Sequence, residues 1–258
     1  AGQVAMFGLA ALLALLVALP VVALLFRVPP ATLMAQLGSS GVREALRLSL
    51  LTSVAATAVS VLLGLPMAHL LATREFPGKR ALEVLMDLPM VIPPTVAGFA
   101  LLMAFGRAGL LGGTLSAFGI TLPFTTAGVV VAQVFMAVPF FVGAARAGFA
   151  AVDPRFLDAA ATLRAGEMHT FWRVRLPLAL PSLVAGVGMA WARALGAFGA
   201  TITFAGNLAG TTRTVPLDVY LCCTRTWPPP PRSRCSSSSW PPSCSPRCGR
   251  RDWASSRR

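Results

Sequence analysis

Val4 to Phe26 is a run of 23 residues without a single charged side chain. The hydrocarbon core of a bilayer is about 30 Å thick, which roughly 20 apolar residues cross as a helix. A signal-peptide core would be shorter and would follow a basic segment. No basic residue precedes this run, so it predicts a first membrane-spanning helix over 4–26. Comparable apolar runs predict further spans at 48–73, 88–106, 122–145 and 176–206. Pro66 predicts a kink inside the second. Together they predict an all-α membrane protein.

Loop 146–175 is the longest connection, and it has helical character. Asp153-Pro154 suits a helix start. Phe156, Leu157, Ala160, Leu163 and Met168 follow at helical spacing. A short amphipathic helix between two spans is not needed to cross the bilayer. Pattern alone leaves two readings open: an interfacial helix lying on headgroups, or a docking helix for a soluble partner.

Composition agrees with lipid as the solvent. The 258 residues are 55% hydrophobic and 12% charged, with mean hydropathy +0.71. Soluble domains carry about 25% charged residues. The net charge of +13 is concentrated at one end. Residues 1–223 hold fourteen Lys and Arg against eight Asp and Glu, whereas 224–258 hold eight Arg and one Asp. The total therefore does not indicate nucleic-acid binding. With the N-terminus in the cytoplasm, inner loops 74–87 and 146–175 hold eight basic residues and the outer loops five. The positive-inside rule favours that orientation for a multi-pass protein of the plasma (inner) membrane.

Candidate chemistry is sparse. All five cysteines lie at 222 or later, far from His69 and His169, and predict no metal site. Both histidines read as structural. No GxxxxGK[ST] loop occurs, so nothing predicts ATP hydrolysis or a bound cofactor in this chain.

At loop 146–175 the sequence resembles the permease subunits of ABC importers. Their cytoplasmic motif runs Glu-x-Ala-Ala-x-x-x-Gly, then nine residues, then Ile-x-Leu-Pro. Residues 157–164 read Leu-Asp-Ala-Ala-Ala-Thr-Leu-Arg, and nine residues later come Val174-Arg175-Leu176-Pro177. Leu157 stands where the family has its acid and Arg164 where it has glycine. Asp158 offers an acid one position on, and Gly166 a flexible point two positions on. The resemblance implies a helix that couples transport to ATP hydrolysis through Asp158, Ala159, Ala160, Ala161, Arg164, Gly166, Leu176 and Pro177. It also implies a type I, MetI-like helix bundle that works as a homodimer with a second permease copy. Two ATP-binding subunits would hold ATP-Mg, and an extracytoplasmic protein would capture the substrate.

Residues 191–217, WARALGAFGATITFAGNLAGTTRTVPL, are similar to the fifth-helix segment of molybdate permeases. Residues 87–98, DLPMVIPPTVAG, are similar to their third-helix entrance, and the match runs nearly collinearly from about 45 to 221. This resemblance implies import of molybdate or a similar tetrahedral oxyanion by a transport subunit rather than an enzyme. Sulfate and tungstate permeases are close relatives. A secondary transporter or channel acting without ATP is the alternative of another class; an inverted internal repeat would favour it, and none is evident.

Translocation needs a gated path and no bond chemistry. Pro93-Pro94-Thr95 frees backbone carbonyls at membrane depth, tolerated where protein or a water-filled cavity covers them. Gly196, Gly199, Thr201 and Thr203 give the fifth segment a small face that suits close helix approach. Plain packing and a simple kink explain the same residues. Arg193 is a charge within a span, costly and ordinarily functional or paired. The permeases it resembles often carry glutamate one turn later, where this chain has Ala197. Pairing with Asp87 or Asp218, snorkelling, or facing the pathway are its options. A structural role fits best, because a tight cation would trap the ion it should pass.

Residues 222–258 break the pattern. Cys, Trp, Pro, Ser and Arg replace the sixth helix that such permeases carry, and Pro228–Pro231 exclude a helix. A disordered basic tail is one reading. The other is a shifted reading frame in a GC-rich gene, consistent with 21 Arg against one Lys. Moving each codon's first two bases into second and third place turns Cys, Trp and Ser (TCN) codons into Leu, Val, Met, Ile or Phe. Pro and CGN Arg codons become Ala, Pro, Ser or Thr. Over 227–248 this yields about one span of apolar and small residues.

Overall fold

The computed structural model describes residues 2–27 and 40–226. Residues 227–258, with most of the anomalous tail, lie outside the described residues. The described residues are helical and contain no strand. In chain order the helices are α1 Gly2–Arg27, α2 Ser40–Thr73, α3 Lys79–Val91, α4 Pro94–Phe105, α5 Gly112–Ala117 and α6 Thr126–Ala150. There follow α7 Pro154–Thr162, α8 Glu167–Thr170, a π-helical turn Phe171–Arg175, α9 Leu176–Leu195, α10 Gly199–Phe204 and α11 Val215–Thr226.

Among the described residues, three helices are long and apolar enough to cross a membrane: α2, α6 and the continuous stretch Glu167–Leu195. The pair α3–α4, bent by 119° at its break, counts as a fourth if taken as one span. α1 adds a further helix, with Pro20 inside it and its described side chains exposed.

Burial is inverted relative to a soluble bundle. On α2 the buried positions are Ala45, Ser49, Thr52, Ser53, Ala56, Thr57, Ser60, Gly64, Ala68 and Leu71, a stripe at three- and four-residue spacing. Its large side chains Leu50, Leu51, Val54, Leu62 and Leu63 point outward. Lipid supplies no hydrophobic drive between helices, so small residues that let backbones approach hold the bundle together. The stripe's hydroxyls bond back to their own helix, Thr57 to Ser53 O at 2.7 Å and Ser60 to Ala56 O at 2.8 Å, and so stay satisfied without water. One apolar cluster joins α2, α6 and α9 through Ala56, Ala68, Phe141, Ala145, Leu183 and Ala190. A second joins α4, α6 and α10 through Ala97, Leu101, Met136, Ala200 and Phe204.

The helix limits depart from the expected spans in instructive ways. The second helix begins at Ser40, eight residues early, and the fourth expected span is Thr126–Ala150 rather than 122–145. The expected third span, 88–106, is not one helix. Its first residues end α3, the chain turns at Ile92-Pro93, and α4 restarts with Pro94 at its first position. Proline 94 has no N–H to donate, and Pro93 forbids a helical conformation at Ile92, whose ψ is 130°. At 12 residues α4 is about 18 Å long, too short to cross alone. The expected fifth span, 176–206, likewise breaks: α9 ends at Leu195 and α10 is a separate short helix.

Candidate coupling surface and translocation segment

α7 occupies the middle of the long loop. Asp153 caps it, accepting a hydrogen bond from Arg155 N at 2.9 Å, and Pro154 fills the first turn. The helix ends in a Schellman motif. Arg164 N–H donates to Ala161 O at 2.9 Å and Ala165 N–H to Ala160 O at 3.0 Å. That closure puts Arg164 in the left-handed region at φ 52°, where glycine is favoured. Gly166 does not supply the missing flexibility: its φ of −68° and ψ of 159° suit any residue, and a Cβ there would meet nothing.

The two faces of α7 differ. Ala160 is buried at 8% exposure, and Leu157 packs against the main cluster. Asp158, Ala159, Ala161 and Arg164 are exposed, as are Phe156 at 53% and Leu163 at 82%. The apolar positions at helical spacing therefore divide: Leu157 and Ala160 seat the helix, while Phe156, Leu163 and Met168 remain outside.

Two contacts tie this loop to the bundle. Arg74, just after α2, reaches both carboxylate oxygens of Glu167 at 2.7 Å. The His69 ring packs edge-on against Phe149 at 5.3 Å and Phe171 at 4.7 Å between centroids. Neither partnership was legible from spacing, since Arg74 and Glu167 lie 93 residues apart. The π turn precedes Pro177. Proline cannot donate to the carbonyl of Arg173 and would crowd it, and the backbone widens so that Leu176 N–H bonds Phe171 O. Leu176 packs on the cluster, whereas Pro177 is exposed.

The translocation candidates meet at a second locus. Gly199 is so close to α4 that a Cβ there would stand 2.8 Å from Pro94 Cβ and 3.1 Å from Thr95 N. Gly98 faces back: a Cβ there would collide with the Thr203 hydroxyl and stand 2.7 Å from Ala200 O. Pro94, Thr95, Gly199 and Thr203 are thus brought together; Pro93, Pro94, Thr95 and Gly196 are exposed, whereas Gly199 is buried. Gly98 was not singled out beforehand, although it closes the segment 87–98. Thr201 and Thr203 donate to their own helix, Thr201 to Ala197 O at 2.6 Å and Thr203 to Gly199 O at 2.9 Å. Their hydroxyls are engaged in backbone bonds.

Arg193 lies in the last turn of α9, where a cation complements the carbonyl end of the helix dipole. Its guanidinium sits over the Phe140 ring at 5.5 Å, and its Nε is buried without a hydrogen-bond partner. Of the options for it, pairing with Asp218 is not formed: Asp218 stands 3.9 Å from Arg213 instead. No ion pair among the described residues includes Arg193 or Asp87. No group of three His, Cys, Asp or Glu among the described residues could hold a metal.

Apolar spans, small-residue packing and a bent helix pair define a multi-pass helical membrane protein. Residues 60–218 match the family model of the binding-protein-dependent transport system inner membrane component. The molybdenum transport system permease protein ModB of Mycobacterium tuberculosis is 47% identical over 209 residues, covering 80% of this chain and 78% of that protein. ModB of Escherichia coli K12 is 43% identical over 178 residues, covering 69% and 78%. The sulfate transport system permease protein CysW of Synechococcus elongatus is 38% identical over 183 residues, covering 71% and 64%. The chain belongs to the family of binding-protein-dependent transport system inner membrane components, which are transport subunits and not enzymes.

Proposed function

We propose that this chain is the membrane-spanning permease of an ATP-driven importer that carries molybdate, or a similar tetrahedral oxyanion, across the inner membrane. The observation that carries the reading is the 47% and 43% identity to permeases named for molybdenum transport, against 38% to one named for sulfate. The working unit is two permease copies and two ATP-binding subunits that hold ATP-Mg, supplied by an extracytoplasmic binding protein. The N-terminus is cytoplasmic, which puts α7 on the ATPase side.

In this reading the exposed strip of Phe156, Ala159 and Leu163 enters a cleft of the ATP-binding subunit. Asp158, Ala161 and Arg164 flank it, and Gly166, Leu176 and Pro177 form the return to the membrane. Ala160 and Leu157 pass force inward through their packing. The α4–α10 crossing, with Pro93, Pro94, Thr95, Gly196, Gly199, Thr201 and Thr203, lines or gates the path. Arg193 braces the broken end of α9.

Substrate choice is tested by uptake of labelled molybdate into proteoliposomes of the whole importer with its binding protein. Excess unlabelled tungstate should compete strongly, and excess sulfate weakly. Competition by sulfate as strong as by molybdate itself would reassign the chain to sulfate import.

A further inference from the structure

The exposed guanidinium at the end of α7 stands in a conformation that opposes its side chain. Arg164 has φ 52°, imposed by the two backbone bonds that close the helix. Glycine meets that geometry without a Cβ penalty, and an L side chain does not. Strain of this kind collects at functional sites, where surrounding contacts compensate it. The two closing backbone bonds hold the turn, but no partner engages the side chain: Arg164 forms no ion pair among the described residues. It follows Leu163, the C-cap residue of α7, whose apolar side chain is exposed. The same loop carries exposed Arg155 and Arg173, also outside any described ion pair. Of its three acids, Glu167 is engaged by Arg74 and Asp153 by the helix N-terminus, while Asp158 is exposed and outside any described ion pair.

We infer that Arg164 is a recognition residue that meets a carboxylate on the rim of the ATP-binding subunit's cleft, beside the pocket that takes Leu163. This rests on the docking reading above and adds to it the chemistry of the partner surface. An apolar strip whose Leu163 end carries the unpaired cation Arg164, with the exposed Asp158 further back along the helix, calls for an apolar cleft with an acid placed beside the Leu163 pocket. Anionic lipid would also attract these arginines. It gives no reason to hold one of them in a left-handed turn next to a projecting leucine.

The test uses the full-length permease in nanodiscs of zwitterionic phosphatidylcholine, titrated with its purified ATP-binding subunit. Arg164→Gly should melt at a higher temperature than wild type and yet bind about threefold more weakly, the size of an exposed ion pair. Its affinity should also depend less on salt. Arg164→Lys should restore both affinity and salt dependence. A merely structural role predicts the higher melting temperature with binding unchanged or tighter, and that result overturns the proposal. Weakening by Arg164→Gly only when anionic lipid is present would assign the charge to headgroups, and would overturn it too. Leu163→Glu separates the layers. Undiminished binding of that variant overturns the docking reading and the Arg164 contact with it. Strong loss in Leu163→Glu with wild-type binding in Arg164→Gly overturns the Arg164 contact alone.

Discussion

Gly98 and Gly199 set the distance between α4 and α10. Each lacks the atom that would strike the other helix: Thr203 and Ala200 lie against Gly98, and Pro94 and Thr95 against Gly199. Gly98→Val should cost roughly 1–3 kcal/mol, the usual penalty for overpacking, read as a lower melting temperature in detergent. Gly113→Val, on the first turn of α5 with nothing within 4 Å, is the control and should melt close to wild type apart from a small propensity term. At Arg164 the sign reverses. Relief of the left-handed strain should make Arg164→Gly more stable by about 1 kcal/mol in the isolated permease. The sequence displayed Pro93-Pro94-Thr95 and Gly199 through Thr203 as two unusual segments. It could not display that they touch, since the contact joins positions about a hundred apart through a turn at Ile92-Pro93. The departure from glycine at 164 was legible. Its meaning was not, because only the backbone shows that this position closes a Schellman motif.

Among the elements, α7 packs one face on the bundle through Leu157 and Ala160 and leaves Phe156 and Ala159 exposed on the other. Ala160 is buried on the bundle side, so a charge there is a packing lesion. Ala160→Glu should lower expression and thermal stability. Leu163→Glu should leave both near wild type while abolishing stimulation of the partner's ATPase. Equal stability of the two variants would contradict the assignment of the faces, and a lower stability of Leu163→Glu would reverse it. The helix itself was readable from Asp153-Pro154 and its spacing, because capping and periodicity are local. Which apolar residue faces in is a tertiary matter: Leu157 and Leu163 look alike in sequence, and packing against the main apolar cluster separates them. The same limit explains the spans. Hydropathy runs straight through Pro93 and through Gly196, yet the backbone breaks at both, and composition does not register a turn of 119°.

At the scale of the whole molecule, the pattern of small residues inside and large ones outside follows from the solvent. Leu and Val on α2 face out because lipid accepts them, and Ala, Ser, Thr and Gly face in because they permit close approach. That much was legible as composition and run length. The match to the transport family ends at residue 218, close to where the sequence changes character. A shifted frame there predicts one inserted or deleted base near the codons for 221–226 on resequencing, with Leu, Val and Ala codons following in the restored frame. An intact frame, with the Cys- and Pro-rich tail found in the mass spectrum of the native protein, contradicts it. The central claim is that this chain passes an oxyanion only when a separate ATPase drives it. Molybdate uptake into vesicles containing the permease, with and without its ATP-binding subunit and ATP, measures that directly. The account predicts uptake against a gradient only when both subunit and ATP are present; uptake by the permease alone would contradict it.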